Sequence, residues 1–225
     1  MPVKDQSERV DWDDRGVPVS ALFDDPYFSF QDGLAETRHV FLAGNGLPGR
    51  FRDGFRIAEL GFGTGLNLLA TCLAWEAAGA PGRLGYTTFE AWPMPATDMA
   101  RALAAFPEAA AVAGPLLAAW DEGARRFDLG PVVVEVVEGD ARQTLPLWPG
   151  RADAWYLDGF SPAKNPELWD VALMAEVAGH TAPQGTFATY TAAGLVRRGL
   201  QAAGFQVERV PGYGAKRHMS RGQIG

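Results

Sequence analysis

The chain has 225 residues, with 47% hydrophobic and 21% charged, which suits a single globular domain large enough to bury a core. One cysteine, Cys72, excludes an internal disulfide, and three scattered histidines, His39, His180 and His218, give no ligand spacing, so no metal is expected. The net charge of −7 argues against a general nucleic-acid binder, yet residues 192–225 hold six basic residues and one acidic, a net +5 that suits phosphates locally.

In chain order, residues 1–14 are too charged for a secretory signal, and no apolar run reaches membrane-spanning length. A cytoplasmic protein without a membrane partner is therefore expected. Residues 1–54 are polar, with interspersed aromatics and glycines, and read as an irregular or hairpin-bearing extension packed on the domain at 55–225. Residues 55–60 read as a short apolar strand, and 66–78 carry helical spacing. Strands follow at 84–90, 132–138 and 152–158, with Ala-rich helices at 94–105 and 107–119; Pro107 suits a helix start. The spacing then predicts a helix over 167–179, a strand over 185–190, a helix over 192–203, and final strands over 205–210 and 216–224. Such alternation implies a mostly parallel sheet covered on both faces, with ligands at the carboxyl ends of its strands.

Four motifs sit at those strand ends. The segment ELGFGTGLN at 59–67 places Gly61, Gly63 and Gly65 at alternate positions, where a backbone can turn tightly beside a ligand. Its spacing departs from the G-x-G-x-x-G dinucleotide fingerprint. Glu59 would repel a pyrophosphate but suits the ammonium of a methionine moiety, which favours S-adenosyl-L-methionine over NAD. Glu90 ends the second strand, where a carboxylate can accept hydrogen bonds from ribose hydroxyls. Asp140, in VEGDAR, either accepts from an adenine amino group or caps a helix over 141–146. The segment WYLDGFSPAKNPELW at 155–169 offers the Asp158 carboxylate, the Phe160 ring and a proline-stiffened loop. Beside a methyl donor these suit an amine carried on a planar base; the other reading is a packed loop in which Asp158 caps the next turn.

The segment DGFSPAKNP at 158–166 with Trp169 resembles the signature of the tRNA 5-methylaminomethyl-2-thiouridine methyltransferases, the MnmD enzymes and the N-terminal half of bifunctional MnmC. The resemblance spans nearly the whole chain. FDDPYFS at 23–29 and GLAETRHVFLAGNGL at 33–47 resemble the family's leader, and ELGFGTGLN its cofactor loop. TFATYTAAGLVRRGLQAAGF at 186–205 and GYGAKRHM at 212–219 resemble its C-terminal block. The resemblance implies a class I S-adenosylmethionine-dependent methyltransferase fold of the Rossmann-like α/β type, with a seven-stranded, mostly parallel sheet and an antiparallel last hairpin. It implies methyl transfer to the aminomethyl group of the wobble uridine of tRNA. It also places Tyr27 and Asn67, beside Glu59, Gly61, Gly63, Gly65, Glu90, Asp140 and Asp158, among the cofactor-binding residues. The chain ends at Gly225 without a second glycine fingerprint, so neither oxidase activity nor a flavin is expected.

Within that reading Asp158 holds the amine, and an aspartate beside a sulfonium is expected to have a lowered pKa. Phe160 stacks on the uracil, and Tyr190 is a second aromatic candidate. Lys164, Arg197, Arg198, Lys216 and Arg217 either contact phosphates of the anticodon arm or are solvated surface. Three rivals remain: a methyltransferase for another amine, a non-catalytic tRNA-binding module, and an NAD-dependent dehydrogenase. The last lacks its glycine spacing and a histidine or tyrosine suited to hydride transfer.

Overall fold

The computed structural model describes residues 10–29 and 32–225. The first nine residues, whose charge entered the localisation reading, lie outside the described residues. Strands β1 (Val10–Trp12), β2 (Pro18–Ser20) and β3 (Asp25–Pro26) form a small antiparallel sheet. Asp32 caps the short helix α1 (Gly33–Thr37), its Oδ1 accepting from the Ala35 amide at 2.8 Å. A π-helical turn at Arg38–Leu42 and a 3₁₀ turn at Ala43–Asn45 continue α1.

The larger sheet follows from β4 (Phe55–Leu60), α2 (Leu66–Ala77), β5 (Leu84–Glu90), α3 (Ala96–Leu103), α4 (Ala110–Asp121), β6 (Arg126–Leu129) and β7 (Val132–Glu138). The chain continues through α5 (Ala141–Thr144), β8 (Ala152–Leu157), α6 (Val171–Gly179), β9 (Thr181–Thr189), α7 (Gly194–Ala202), β10 (Phe205–Pro211) and β11 (His218–Ile224). The spatial order is β10-β11-β9-β8-β4-β5-β7-β6. Strands β4, β5, β7, β8 and β9 run parallel; β11 is antiparallel to both its neighbours, as expected for the last hairpin. All six residues of β8 are buried, as a strand covered on both faces requires. Among the described residues no single helix is long and apolar enough to cross a membrane.

The sheet has one strand more than the seven expected. β6 pairs antiparallel with β7 through a hairpin at Gly130 and Pro131, with Gly130 in the left-handed region at φ 60°. Its sequence, RFDL, sits at an exposed edge and shows no apolar run, so periodicity passed over it. β9 begins four residues before the expected start, because Pro183 and Gln184 interrupt its apolar pattern while the pairing with β8 shifts register there. The helix expected at 107–119 opens as a 3₁₀ turn at Pro107–Ala109 before α4.

One apolar layer joins Ile57, Trp75, Tyr86 and Tyr156 with Leu34, Val40, Phe41 and Leu47 from before β4. The other joins Leu60, Phe89, Trp155, Leu157 and Phe187 with α6 and α7. Residues 33–47 thus help cover one face of the main sheet. Asn45, almost fully buried, ties them down: its Nδ2 donates to the Phe41 and Trp155 carbonyls at 2.9 and 3.2 Å. Its Oδ1 accepts from Thr186 Oγ1 at 2.6 Å. Removing one member of such a network leaves buried partners unmatched, at about 1–3 kcal/mol each. Asn45→Ala is therefore expected to lower the urea midpoint by a loss of about 1–3 kcal/mol. An unchanged midpoint would show that the extension is not fixed to the sheet by this residue.

Candidate functional site

The carboxyl ends of β4, β5, β7 and β8 open onto a cavity of about 610 Å³, closed on the far side by residues before β4. That volume suits a nucleoside-sized ligand. The turn from β4 into α2 forms part of its wall. Gly61 and Gly63 both take left-handed backbone angles, φ 82° and 53°. A Cβ on Gly61 would meet the Asp158 carbonyl at 3.2 Å, and one on Gly63 the Tyr27 ring at 3.1 Å. Gly65, also expected at the cofactor, starts α2 behind this wall, where a Cβ would meet Leu116 and Phe62 at 3.0 Å.

Glu90 pins the glycine turn. Its Oε2 accepts from the amides of Phe62 and Gly63 at 2.9 and 3.0 Å, and its Oε1 from the Trp92 amide at 2.8 Å. The carboxylate also faces the cavity.

Asn67 joins two carboxylates. Its Nδ2 donates to Glu59 Oε1 and to Asp158 Oδ2, both at 2.8 Å, while its Oδ1 accepts from Thr37 Oγ1 at 2.9 Å. Asp158 Oδ1 accepts from the Gly159 amide at 2.8 Å. Glu59 has no exposed surface and does not line the cavity, which corrects the expectation of a direct contact with an ammonium; it acts through Asn67. Burial pushes its carboxyl up to about 8, with the Asp158 charge adding to the rise and the Asn67 hydrogen bond opposing it. Asp158 stands at the cavity wall. Burial raises it to about 6, against the pull of the Gly159 amide, Asn67 and the Lys216 charge. In the protein alone desolvation outweighs these favourable contacts; the lowering expected beside a sulfonium concerns the cofactor-bound site.

Aromatic rings flank Asp158. Phe23 stacks on Phe160 at 4.8 Å, and Tyr27 meets the same ring edge-on at 5.2 Å. One face of Phe160 is thus already covered by the extension. The Tyr190 hydroxyl donates to the Gly159 carbonyl at 2.8 Å, which fixes its ring on the other side of the loop.

Asp140 caps α5 by accepting from the Arg142 amide at 2.9 Å, and the Arg142 guanidinium holds both its oxygens. The capping reading thus describes the geometry, although the residue also lines the cavity. Arg142 lowers its pKa by hydrogen bonding. The basic residues divide. Lys164 is drawn back to the extension, bonding the Asp24 carbonyl and standing 3.1 Å from Asp24 Oδ2 and 3.7 Å from Asp25 Oδ1. Lys216 turns into the cavity and pairs with Glu36 Oε1 at 2.8 Å. Arg198 and Arg217 are exposed and Arg197 half-buried, and none of the three lines the cavity. Sequence reasoning missed Glu36 and Asp25. Their only sequence signal was membership of segments resembling the family's leader, since neither ends a predicted strand.

These residues fit a bound S-adenosylmethionine: a glycine turn that admits close approach, and carboxylates and an amide that match hydroxyl and ammonium donors.

The family model described as S-adenosyl-L-methionine-dependent methyltransferase matches residues 107–224. The bifunctional tRNA 5-methylaminomethyl-2-thiouridine biosynthesis protein MnmC of Pseudomonas paraeruginosa is 49% identical over 228 residues, covering 96% of this chain and 35% of its own length. The protein of that name from Aeromonas hydrophila is 47% identical over 232 residues, with the same coverage of 96% and 35%. The chain therefore spans about a third of the length of the curated relatives it matches. Among solved structures, MNMC2 from Aquifex aeolicus superposes with a TM-score of 0.78 at 21% identity, over 99% of this chain and 71% of that one. Precorrin-6y C5,15-methyltransferase from Geobacter metallireducens gives 0.51 at 14%, over 88% and 91%. At those identities the structural likeness concerns the fold.

Glu59 and Asp158 titrate above their ordinary values of 4.5 and 3.8, so the folded state binds more protons than the unfolded chain. Their joint contribution makes stability fall as pH rises from about 4 towards 8. Glu59→Gln, which mimics the protonated carboxyl, is expected to flatten that fall. Relative to the parent, the variant should gain on the order of a few kcal/mol between pH 5 and pH 8. Thermal melts across that range measure the gain, and parallel pH curves for the two proteins would count against it.

Proposed function

The chain belongs to the S-adenosyl-L-methionine-dependent methyltransferase family, and from that premise we propose that it methylates the 5-aminomethyl group of the wobble (2-thio)uridine in tRNA. The observation that carries this reading is the Asp158 carboxylate, fixed by Asn67 and the Gly159 amide beside the glycine turn. The names of the MnmC relatives, similar over nearly the whole of this chain, supply the substrate.

When bound, the cofactor supplies an electrophilic methyl group on a sulfonium. The turn at Gly61 and Gly63, the Asn67 amide, Glu90 and Asp140 would hold it. Asp158 accepts a hydrogen bond from the substrate ammonium and orients its nitrogen. With a pKa near 6, Asp158 is a better proton acceptor than an ordinary aspartate, so it can take the proton that frees the lone pair. Phe160 and Tyr190 form an apolar rim that keeps water from the amine. The anticodon arm then lies across the carboxyl edge of the sheet, where α7 begins and where β10 turns into β11. This places phosphates near Arg198 and Arg217, with Lys164 and Lys216 committed elsewhere.

Radiolabelled methyl transfer to tRNA lacking the wobble methyl group, followed by nucleoside analysis, tests the reading. Wild-type protein should label 5-methylaminomethyl-2-thiouridine, and no tRNA product would end the proposal. Asp158→Asn should lose about 10²-fold in turnover. In the parent, kcat/KM should fall as pH drops through about 6, where Asp158 becomes protonated; the variant should lack that limb.

Affinity for tRNA should fall with salt despite the net charge of −7. Replacing Arg198 and Arg217 together by alanine should flatten the slope of log affinity against log salt by about 0.7–0.9 for each phosphate left without its cation. An unchanged slope assigns both side chains to solvent.

A further inference from the structure

Lys216 is the one basic side chain of the C-terminal block that lines the cavity. It lies in the loop between β10 and β11, whose backbone is closed by hydrogen bonds from the Lys216 amide to the Tyr213 carbonyl and from the Gly212 amide to the Arg217 carbonyl. Nζ stands 2.8 Å from Glu36 Oε1 and 4.3 Å from the centre of the Tyr190 ring. Glu36 comes from α1 and is only 8% exposed. Tyr190 is held by its bond to the Gly159 carbonyl, next to Asp158. A carboxylate and an aromatic face around one ammonium make a cation cage.

A buried carboxylate is costly without a cationic partner, so the cage is built for an occupant. The end of a lysine side chain is a methylene carrying a primary ammonium. The proposed substrate presents the same group, a methylene carrying a primary ammonium, on C5 of the uracil. The cage lies on the same cavity wall as Asp158, and the Lys216 and Glu36 charges both act on the Asp158 carboxylate.

Resting on the methyltransferase reading above, we propose that Glu36 and Tyr190, with Asp158, form the subsite that receives the substrate's aminomethyl ammonium, and that Lys216 occupies this subsite until the substrate displaces it. Glu36 neutralises and anchors the cation. Tyr190 covers it with a ring face. Asp158 then meets the nitrogen from the side of the glycine turn. The Lys216 side chain is 45% exposed, so it can leave by rotating about its own bonds without unfolding the loop. Substrate binding is thus an exchange of one alkylammonium for another, and the resident lysine weakens the binding of free amines.

The test uses the full chain with two probes, tRNA carrying the 5-aminomethyl group and the nucleoside 5-aminomethyluridine. Glu36→Gln should raise KM for the aminomethyl tRNA by about tenfold or more, the scale of a charge-assisted hydrogen bond. Its affinity for S-adenosylhomocysteine, whose α-ammonium belongs to the cofactor side of the cavity at the glycine turn, and for tRNA with an unmodified wobble uridine, which carries no amine on C5, should stay within about twofold of the parent. Lys216→Met removes the resident cation and should tighten binding of 5-aminomethyluridine several-fold while leaving uridine unchanged. A wild-type KM for Glu36→Gln, or unchanged or weaker nucleoside binding by Lys216→Met, overturns the subsite. If Glu36→Gln does not fold, Tyr190→Leu takes its place with the same expected rise in KM, and the Lys216→Met comparison stands independently. Absence of any transfer by the wild-type protein overturns the methyltransferase reading instead, and is distinct from these outcomes.

Discussion

The Asn67 side chain has one amide nitrogen with two hydrogens, and the site depends on where they point. One goes to Glu59 and the other to Asp158, while Thr37 donates to the amide oxygen and so fixes which way the group faces. Four elements meet at this group: the end of β4, the first turn of α2, the residue after β8, and α1. The pairing of Leu60 with Leu157 puts Gly61 beside Asp158, where glycine suits both the left-handed backbone at φ 82° and the close approach, a Cβ there standing a tight 3.2 Å from the Asp158 carbonyl. Burial raises the pKa of both carboxyls, and the Asp158 charge raises Glu59 further. The result is a carboxylate at the cavity wall that is more basic than an exposed aspartate, backed by a second that remains largely protonated near neutrality.

The segment before β4 supplies the other half of the cavity. Its strands and helical turns are short, and the loop after β8 holds only a 3₁₀ turn at Pro166–Trp169. Each orders the other: Asp25 Oδ2 accepts from the Ser161 amide at 2.8 Å, Lys164 bonds Asp24, and Phe23 stacks on Phe160. Neither segment has a separate core, but together they close one side of a cavity that the sheet leaves open. Loops that hold function need such support from fixed neighbours. Here the support comes from Asn45 and Arg50. Arg50 reaches the Asn45 and Asp153 carbonyls at 2.9 and 3.1 Å and so ties the segment to β8.

The alternation of strands and helices was legible from β4 onward, because buried strands read as apolar runs and amphipathic helices as three- and four-residue spacing. Strand ends then pointed to Glu59, Glu90, Asp140 and Asp158. What those residues touch was not legible. Glu59 and Glu90 look alike in sequence, each ending a strand, yet one is sealed beneath Asn67 and the other braces the glycine turn from the cavity. The edge strand β6 escaped because it is four residues long and only Phe127 and Leu129 turn to the core while Arg126 and Asp128 meet solvent, too short an alternation to read as a strand. The partners of Lys164 and Lys216, both named as candidates, escaped for a different reason. A basic residue in an acidic chain has many possible partners, and only the tertiary fold selects Asp24 for one and Glu36 for the other.

That selection bears on the apparent conflict between an acidic protein and the polyanionic substrate proposed for it. Charge is sorted by depth. The carboxylates of Asp25, Glu36, Glu90, Asp140, Asp158 and Glu167 line the cavity and outnumber the cations of Arg15, Arg142 and Lys216 there, whereas Arg198 and Arg217 are exposed and outside it. A Debye length of about 8 Å at physiological ionic strength hides most of the remaining negative surface from a phosphate at the rim. The rim therefore presents local positive charge to a backbone, and the interior presents negative charge to a cation. The substrate proposed above, a tRNA carrying an aminomethyl group, needs both, in that order. A uniformly basic protein would hold the backbone but leave the ammonium without a counter-charge, whereas a uniformly acidic one would repel the backbone before the base could enter. The net charge of −7 is the sum of these two opposed regions with the rest of the surface, and it describes neither of them.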